Sequence, residues 1–144
     1  MTTLHTQQAN RTGDELAIRR VLAELIWHAD TTGIEGLDAY IACFTEDAQW
    51  EMFGDVRRGH AELRVGAEER RRTGMMGPGT GVRHFLGCTW ITFTGPETAE
   101  VKSYIQAYRN VKTTPTLFLM GEYHDVFRLT DRGWKLARRQ VEFG

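Results

Sequence analysis

The chain has 144 residues, a length that suits one domain with a closed core and a small internal cavity. Its 18 basic and 19 acidic residues give a net charge of −1, so there is no basic excess to bind nucleic acid or an anionic membrane. No run of about 18 apolar residues occurs, and the N-terminal residues lack the pattern of a signal peptide. We therefore expect a cytoplasmic protein without nucleic-acid or membrane partners.

The N-terminal part predicts an arm followed by a helix. Residues 1–13 are polar and aperiodic, which is typical of a flexible arm, and residues 14–144 are interpreted as one domain. From Asp14 onward apolar residues recur at intervals of three and four, which predicts an amphipathic helix. Gly33 is expected to end it.

A second, short helix is predicted over residues 34–44, with Tyr40 on its apolar side. The following stretch alternates, which places Ala48, Trp50 and Met52 on one side of a short strand. A third, polar helix over residues 58–74 carries a local cluster of three arginines near its end.

The second half of the sequence predicts strands. A glycine-rich segment over residues 74–84 lacks the GK[ST] of a phosphate-binding loop and is interpreted as a flexible rim. Four long strand-like segments follow, separated by turns: residues 84–95, 98–111, 114–133 and 134–143. Helices followed by a strand meander predict an α+β fold, in which helices cover one side of a curved antiparallel sheet.

Asp30 is unusual because it lies at the end of the first helix, on the edge of the apolar stripe. A carboxylate buried there without a partner costs several kcal/mol, so it must be solvated, paired or protonated. The simplest interpretation is a carboxylate that faces water or accepts from the amides of Thr32 and Gly33. The alternative is a functional carboxylate.

His84 opens an apolar strand and shares its predicted face with Leu86, Cys88 and Trp90. If that face lines the interior, the imidazole lies at the mouth of an apolar cavity. A histidine with a neighbouring carboxylate there is a general base with an orienting partner. The sequence alone does not show that Asp30 and His84 meet.

Other chemistry is less well supported. Cys43 and Cys88 have no CxxC or histidine spacing, so we predict two buried reduced thiols. His28, Asp30, His84 and His124 show no HxH or HxxxH spacing, so no metal site is predicted. No GxSxG elbow surrounds Ser103, which excludes a serine hydrolase of that type.

Three stretches resemble the SnoaL-like branch of the nuclear transport factor 2-like superfamily. They are "FTEDAQW" after the second helix, "RHFLGCTWITFTG" with its opening histidine, and the closing hairpin "GEYHDVFRLTDRGWK". Their order and spacing extend the resemblance over about residues 14 to 143. It implies a cone-shaped α+β barrel with a deep pocket between helices and sheet, and a homodimer formed through the outer sheet face.

Enzymes of this superfamily include scytalone dehydratase and hexachlorocyclohexane dehydrochlorinase, which use an aspartate near the end of helix one and a histidine at the start of that strand. The resemblance places this dyad at Asp30 and His84. It implies a cofactor-independent lyase or isomerase, most simply a dehydratase, acting on a small hydrophobic substrate. The pocket residues expected on this basis are Tyr40, Trp50, Met52, Phe53, Leu86, Cys88, Trp90, Tyr104, Tyr108 and His124.

Two further interpretations remain open from the sequence. A polyketide-type cyclase would use the same two residues to remove an acidic proton before carbon-carbon bond formation. A binding or assembly subunit, comparable to a ring-hydroxylating dioxygenase small subunit, would have a pocket without catalysis. The family's additional groups that assist the leaving group have no direct match, and Tyr40, Tyr104, Tyr108 or His124 are the candidates to replace them.

Overall fold

The computed structural model describes residues 4–143, with side chains from residue 11 onward. The helices are α1 (Leu4–Thr31), α2 (Leu37–Ile41) and α3 (Gly59–Arg72), with a 3-10 turn (Ile34–Gly36) before α2. The strands are β1 (Phe44–Met52), β2 (Asp55–Arg58), β3 (Arg83–Gly95), β4 (Thr98–Arg109), β5 (Thr116–Thr130) and β6 (Gly133–Glu142). The predicted α+β class is confirmed.

The strands form one curved six-stranded sheet in the order β2-β1-β6-β5-β4-β3. Neighbouring strands are antiparallel except β1 and β6, which run parallel. These two strands are far apart in the sequence, since β2, α3 and β3 to β5 lie between them. Interruptions of register occur in the β3, β4, β5 and β6 pairings. Such bulges bend strands and increase their twist, which curves the sheet around the helices.

Helix α1 follows its apolar periodicity and buries Ile18, Leu22 and Leu25. It begins at Leu4 rather than at Asp14, so most of the stretch interpreted as a flexible arm is helical, while residues 1–3 lie outside the described residues. The helix packs against β3 and β6. Its Asp14 accepts a hydrogen bond from Nε1 of the buried Trp134 at 2.9 Å, which ties the helix to β6.

The core lies between α1, α2 and the inner face of the sheet, where Val101, Ile105, Phe127 and Leu136 are fully buried. Helix α3 packs against β1 and β2 and closes the adjacent side. None of the helices within residues 4–143 combines the length and apolar character that crossing a bilayer requires.

Strand β3 changes face in its middle. The register with β4 shifts between Gly87 and Trp90, and Cys88 takes a positive φ of 50°. An inserted residue reverses the alternation of side chains, so His84 and Leu86 face inward before the bulge, whereas Ile91 is packed against the core after it. Cys88 is therefore exposed, and the prediction that both cysteines are buried holds only for Cys43.

The hairpin between β1 and β2 was not foreseen as a strand pair. Strand β2 has four residues and a polar sequence, so it carries little periodic signal. The turn uses positive φ angles at Phe53 (52°) and Gly54 (79°), the geometry that suits the right-handed twist of a tight hairpin. Phe53 projects from this turn and is 75% exposed.

Candidate active site

The end of α1 and the beginning of β3 meet through Asp30 and His84. Oδ1 of Asp30 accepts a hydrogen bond from Nδ1 of His84 at 2.6 Å. Oδ2 accepts from the backbone N–H of the same histidine at 2.9 Å. Asp30 is 4% exposed, so this carboxylate faces a partner and not water. One carboxylate thus fixes both the backbone and the ring of His84.

The contact also selects the histidine tautomer. An ionised carboxylate has no proton to donate, so Nδ1 of His84 carries the hydrogen of the bond. In the neutral ring, Nε2 then bears a lone pair and can accept a proton. His84 lines an internal cavity, and its side chain is only 12% exposed. The arrangement is that of an oriented base beside an enclosed volume.

The cavity lies between α1, α3, the rim that follows α3, and the inner face of the sheet. Its walls are mostly apolar, and its polar side chains are Tyr40, Arg70, His84, Tyr123 and Arg139. Its volume is about 80 Å³. An engineered apolar cavity of about 150 Å³ is known to hold benzene, so even a single-ring ligand requires the walls of this smaller cavity to move.

The rim can supply that movement. Met75 and Met76 follow α3 and line the cavity, and Met75 is half exposed. Methionine side chains are unbranched and adapt to irregular shapes. Glycines with positive φ at Gly74, Gly77 and Gly79 fit the predicted rim segment. We expect the rim methionines to set how large a ligand enters.

Three of the expected pocket residues line the cavity: Tyr40, Trp50 and Met52. Phe53 does not line it but stacks on Phe143, which does, with ring centroids 4.4 Å apart. Leu86 faces inward yet packs against the apolar core outside the cavity lining.

The remaining five expected pocket residues do not line the cavity. The β3 bulge turns Cys88 and Trp90 outward, and Trp90 is 65% exposed. Tyr104 and Tyr108 occupy outward positions of β4, and the Tyr108 ring packs edge-on against the exposed Phe85. His124 bonds Glu122 at 3.0 Å on the outer side of β5.

The four residues weighed as a metal group are not assembled. Nδ1 of His28 pairs with the Thr32 hydroxyl at 2.9 Å, and His124 lies on the opposite face of the sheet from His84. Within the described residues, a different trio brings its ligand atoms within 4.8 Å of one another: Glu122, His124 and Glu142. It is partly exposed on the outer face, and such acidic groups are common without a metal.

Arg71 anchors the end of α1 and was not singled out from the sequence. Its Nε donates to the Thr32 carbonyl at 2.7 Å, and Nη2 donates to the His28 carbonyl at 3.0 Å. His28 lies in the last turn of α1 and Thr32 directly follows its last residue, in the region where the helix dipole places partial negative charge. Burial lowers the pKa of Arg71, while Tyr40 and Asp30 act in the opposite direction. Arg71 thus offsets the cost of placing a carboxylate at a helix C-terminus.

A second arginine is paired inside the sheet. Arg139 makes two hydrogen bonds to Asp125, at 2.9 and 2.8 Å, and both residues are buried. Burial lowers the pKa of Arg139, but the carboxylate more than offsets this effect and the net shift is upward. Burial raises the pKa of Tyr123, beneath this guanidinium, to about 12. The Tyr123 hydroxyl therefore stays protonated at neutral pH.

Comparison with known proteins places these features in a family. Residues 10–140 match the model of the SnoaL-like domain. A search of curated proteins gives no significant match.

Solved structures share the fold over nearly the whole chain. A protein of unknown function with a cystatin-like fold from Nostoc punctiforme superposes with a TM-score of 0.79 at 23% identity, covering 92% of each chain. A nuclear transport factor 2-like protein from Novosphingobium aromaticivorans gives 0.80 at 24%, covering 99% of this chain and 91% of that one. A candidate scytalone dehydratase from the same organism gives 0.74 at 19%, covering 95% and 88%.

Replacement of Arg71 by Gln tests the anchorage of α1. The change removes charged donors from the last-turn carbonyls, and we expect the free energy of unfolding to fall by about 1–3 kcal/mol. Arg72→Gln is the matched control, since Arg72 is exposed and pairs with the nearby Glu68 of the same helix at 3.2 Å. That control should change stability by less than about 0.5 kcal/mol in urea titrations. Equal stability of the two variants would contradict the anchoring role.

Proposed function

The chain belongs to the SnoaL-like family, and we propose that it is a cofactor-independent lyase that eliminates water from a small hydrophobic substrate. The observation that carries the proposal is the double contact of Asp30 with His84 on the cavity wall. An oriented imidazole beside an apolar cavity suits removal of a proton from carbon. The structural likeness to a candidate scytalone dehydratase is consistent with this class of reaction.

In the proposed reaction, Nε2 of His84 takes a proton from the carbon adjacent to a carbonyl group. The electron pair of that bond forms an enolate, and its collapse creates a carbon-carbon double bond as the neighbouring carbon-oxygen bond breaks. The hydroxide leaves with the proton that the imidazolium returns, so the products are an unsaturated carbonyl compound and water. Asp30 stabilises the imidazolium that forms between these steps.

Tyr40 is the proposed donor to the carbonyl oxygen of the substrate. It lines the cavity and is 7% exposed, and its ring packs edge-on against Phe44 at 5.3 Å. The guanidinium of Arg71 lies 5.8 Å from the centre of the Tyr40 ring. This cation favours negative charge near the tyrosine, as an enolate requires. Of the four candidates to assist the leaving group, only Tyr40 lines the cavity.

The test uses single-ring β-hydroxy ketones and mass spectrometry of the products. We expect wild-type protein to remove one water, and His84→Gln to lower kcat by about 10²–10⁴ because general-base catalysis has this magnitude. Asp30→Asn should also lower kcat, since it removes the charge that holds the ring. His124→Gln is the control on the outer face, where activity should be unchanged.

Other outcomes of this experiment identify the alternatives. A product of unchanged mass that depends on His84 would indicate a cyclase. A larger catalytic subunit that copurifies with the native protein, together with normal turnover in His84→Gln, would favour an assembly role. Normal turnover in His84→Gln alone would contradict the dyad.

We also propose the homodimer expected from the family resemblance. The outer face of the sheet carries the exposed apolar side chains Phe85, Trp90, Tyr104 and Met120. Exposed patches of this kind mark contact surfaces. Sedimentation equilibrium should give twice the monomer mass, and Trp90→Glu should shift it toward the monomer. A monomeric wild-type protein at the concentrations tested would contradict the proposal.

A further inference from the structure

Arg70 differs in its contacts from the neighbouring arginines Arg71 and Arg139. It lies in the last turn of α3, is 8% exposed, and lines the same cavity as His84. Its Nε is buried and has no hydrogen-bond partner among the described residues. Across the part of the chain whose side chains are described, no carboxylate lies within ion-pair distance of its guanidinium.

The neighbouring arginines have hydrogen-bond acceptors, whereas Nε of Arg70 has none among the described residues. Arg71 donates to the His28 carbonyl of α1 and to a carbonyl group of α3, and Arg139 is paired with Asp125. Asp30 is occupied by both N–H groups of His84. Asp30 and Asp125 are therefore already engaged by other residues. A guanidinium removed from water without a partner is destabilising, so we expect another group to bind it and compensate for this cost.

The surroundings hold the guanidinium in place without satisfying its hydrogen bonds. It stacks over the ring of Trp50 with 4.4 Å between the guanidinium carbon and the ring centroid. This contact engages the face of the group and leaves its edge available. A Cβ at Gly66 would lie 3.1 Å from Nη1, so glycine at this position leaves room for the guanidinium.

The position on α3 is consistent with a wall residue. The buried residues of α3 are Leu63, Gly66, Ala67 and Arg70, which follow one another at spacings of three, one and three. This is the inward stripe of a helix, and a cation completes it where an apolar residue is the ordinary choice. The spacing from Leu63 to Arg70 is a sequence signal that could have separated this arginine from Arg71 and Arg72.

We propose that Arg70 binds a carboxylate of the substrate, so that the protein acts on small carboxylic acids. The planar edge of a guanidinium matches the two oxygens of a carboxylate, and burial strengthens the pair. A phosphate dianion fits less well, because its second charge has no second free cation among the described cavity residues. This substrate class rests on the proposed function, because it assigns the cavity that His84 serves.

Ligand-binding calorimetry with benzoate and benzamide tests the proposal. The two probes have nearly the same shape and differ in charge. We expect wild-type protein to prefer benzoate, and Arg70→Met to weaken benzoate binding about 10- to 100-fold while leaving benzamide binding unchanged. Arg70→Lys should restore part of the preference. Arg72→Met is the control, since Arg72 is exposed and paired with Glu68.

Two further measurements distinguish a loss of benzoate binding from a loss of folding and from a failure of the proposed elimination. Without ligand, Arg70→Met should unfold at the same temperature as the wild type or higher, because it removes an unpaired buried charge. His84→Gln should retain the preference for benzoate, so a failed elimination assay would not affect this result. Equal binding of benzoate and benzamide by wild type, no binding of either, tighter binding of phenyl phosphate, or unchanged benzoate binding by Arg70→Met would overturn the proposal.

Discussion

One buried carboxylate joins the two parts of the site. Asp30 is the residue before the last one of α1, and His84 lies near the start of β3, an edge strand of the sheet. Because the same carboxylate accepts both N–H groups of the histidine, the helix and the strand cannot shift relative to each other without leaving a charge unpaired. The position and the tautomer of the His84 ring thus follow from one interaction. Arg71 reduces the electrostatic cost of placing the Asp30 carboxylate at a helix C-terminus, because it donates to carbonyl groups at the same helix end.

Three arginines near the cavity have different roles, which depend on the groups that each one contacts. Arg71 is satisfied by backbone carbonyls and Arg139 by a buried carboxylate, and both act on structure. Arg70 faces the cavity without a partner, which is why a ligand anion is the group expected there. The Met75 and Met76 side chains line the same cavity, so we expect neighbouring residues at the end of α3 to control both ligand size and ligand charge.

Periodicity predicted the helices and the long strands, because these depend on local spacing, and the apolar stripe around Asp30 and His84 marked these two residues as candidates. It placed Cys88 and Trp90 on the wrong face, since a bulge shifts the alternation and leaves no local signal in an apolar strand. The family resemblance predicted that the end of α1 meets the start of β3. The spacing of residues along the sequence does not by itself predict this contact. The pairing of each arginine depends on contacts between α3 and distant segments, such as the 39 residues that separate Arg71 from Thr32.

The tautomer of His84 tests the central claim most directly. In alkaline buffer, where imidazoles are neutral, nitrogen-15 NMR of the wild-type protein should show the hydrogen of His84 on Nδ1 and a lone pair on Nε2. In Asp30→Asn the signals of this ring should move toward the mixture of tautomers seen in exposed histidines, while those of His124 stay unchanged. A wild-type His84 with its hydrogen on Nε2 would contradict the account, because no base would then face the cavity.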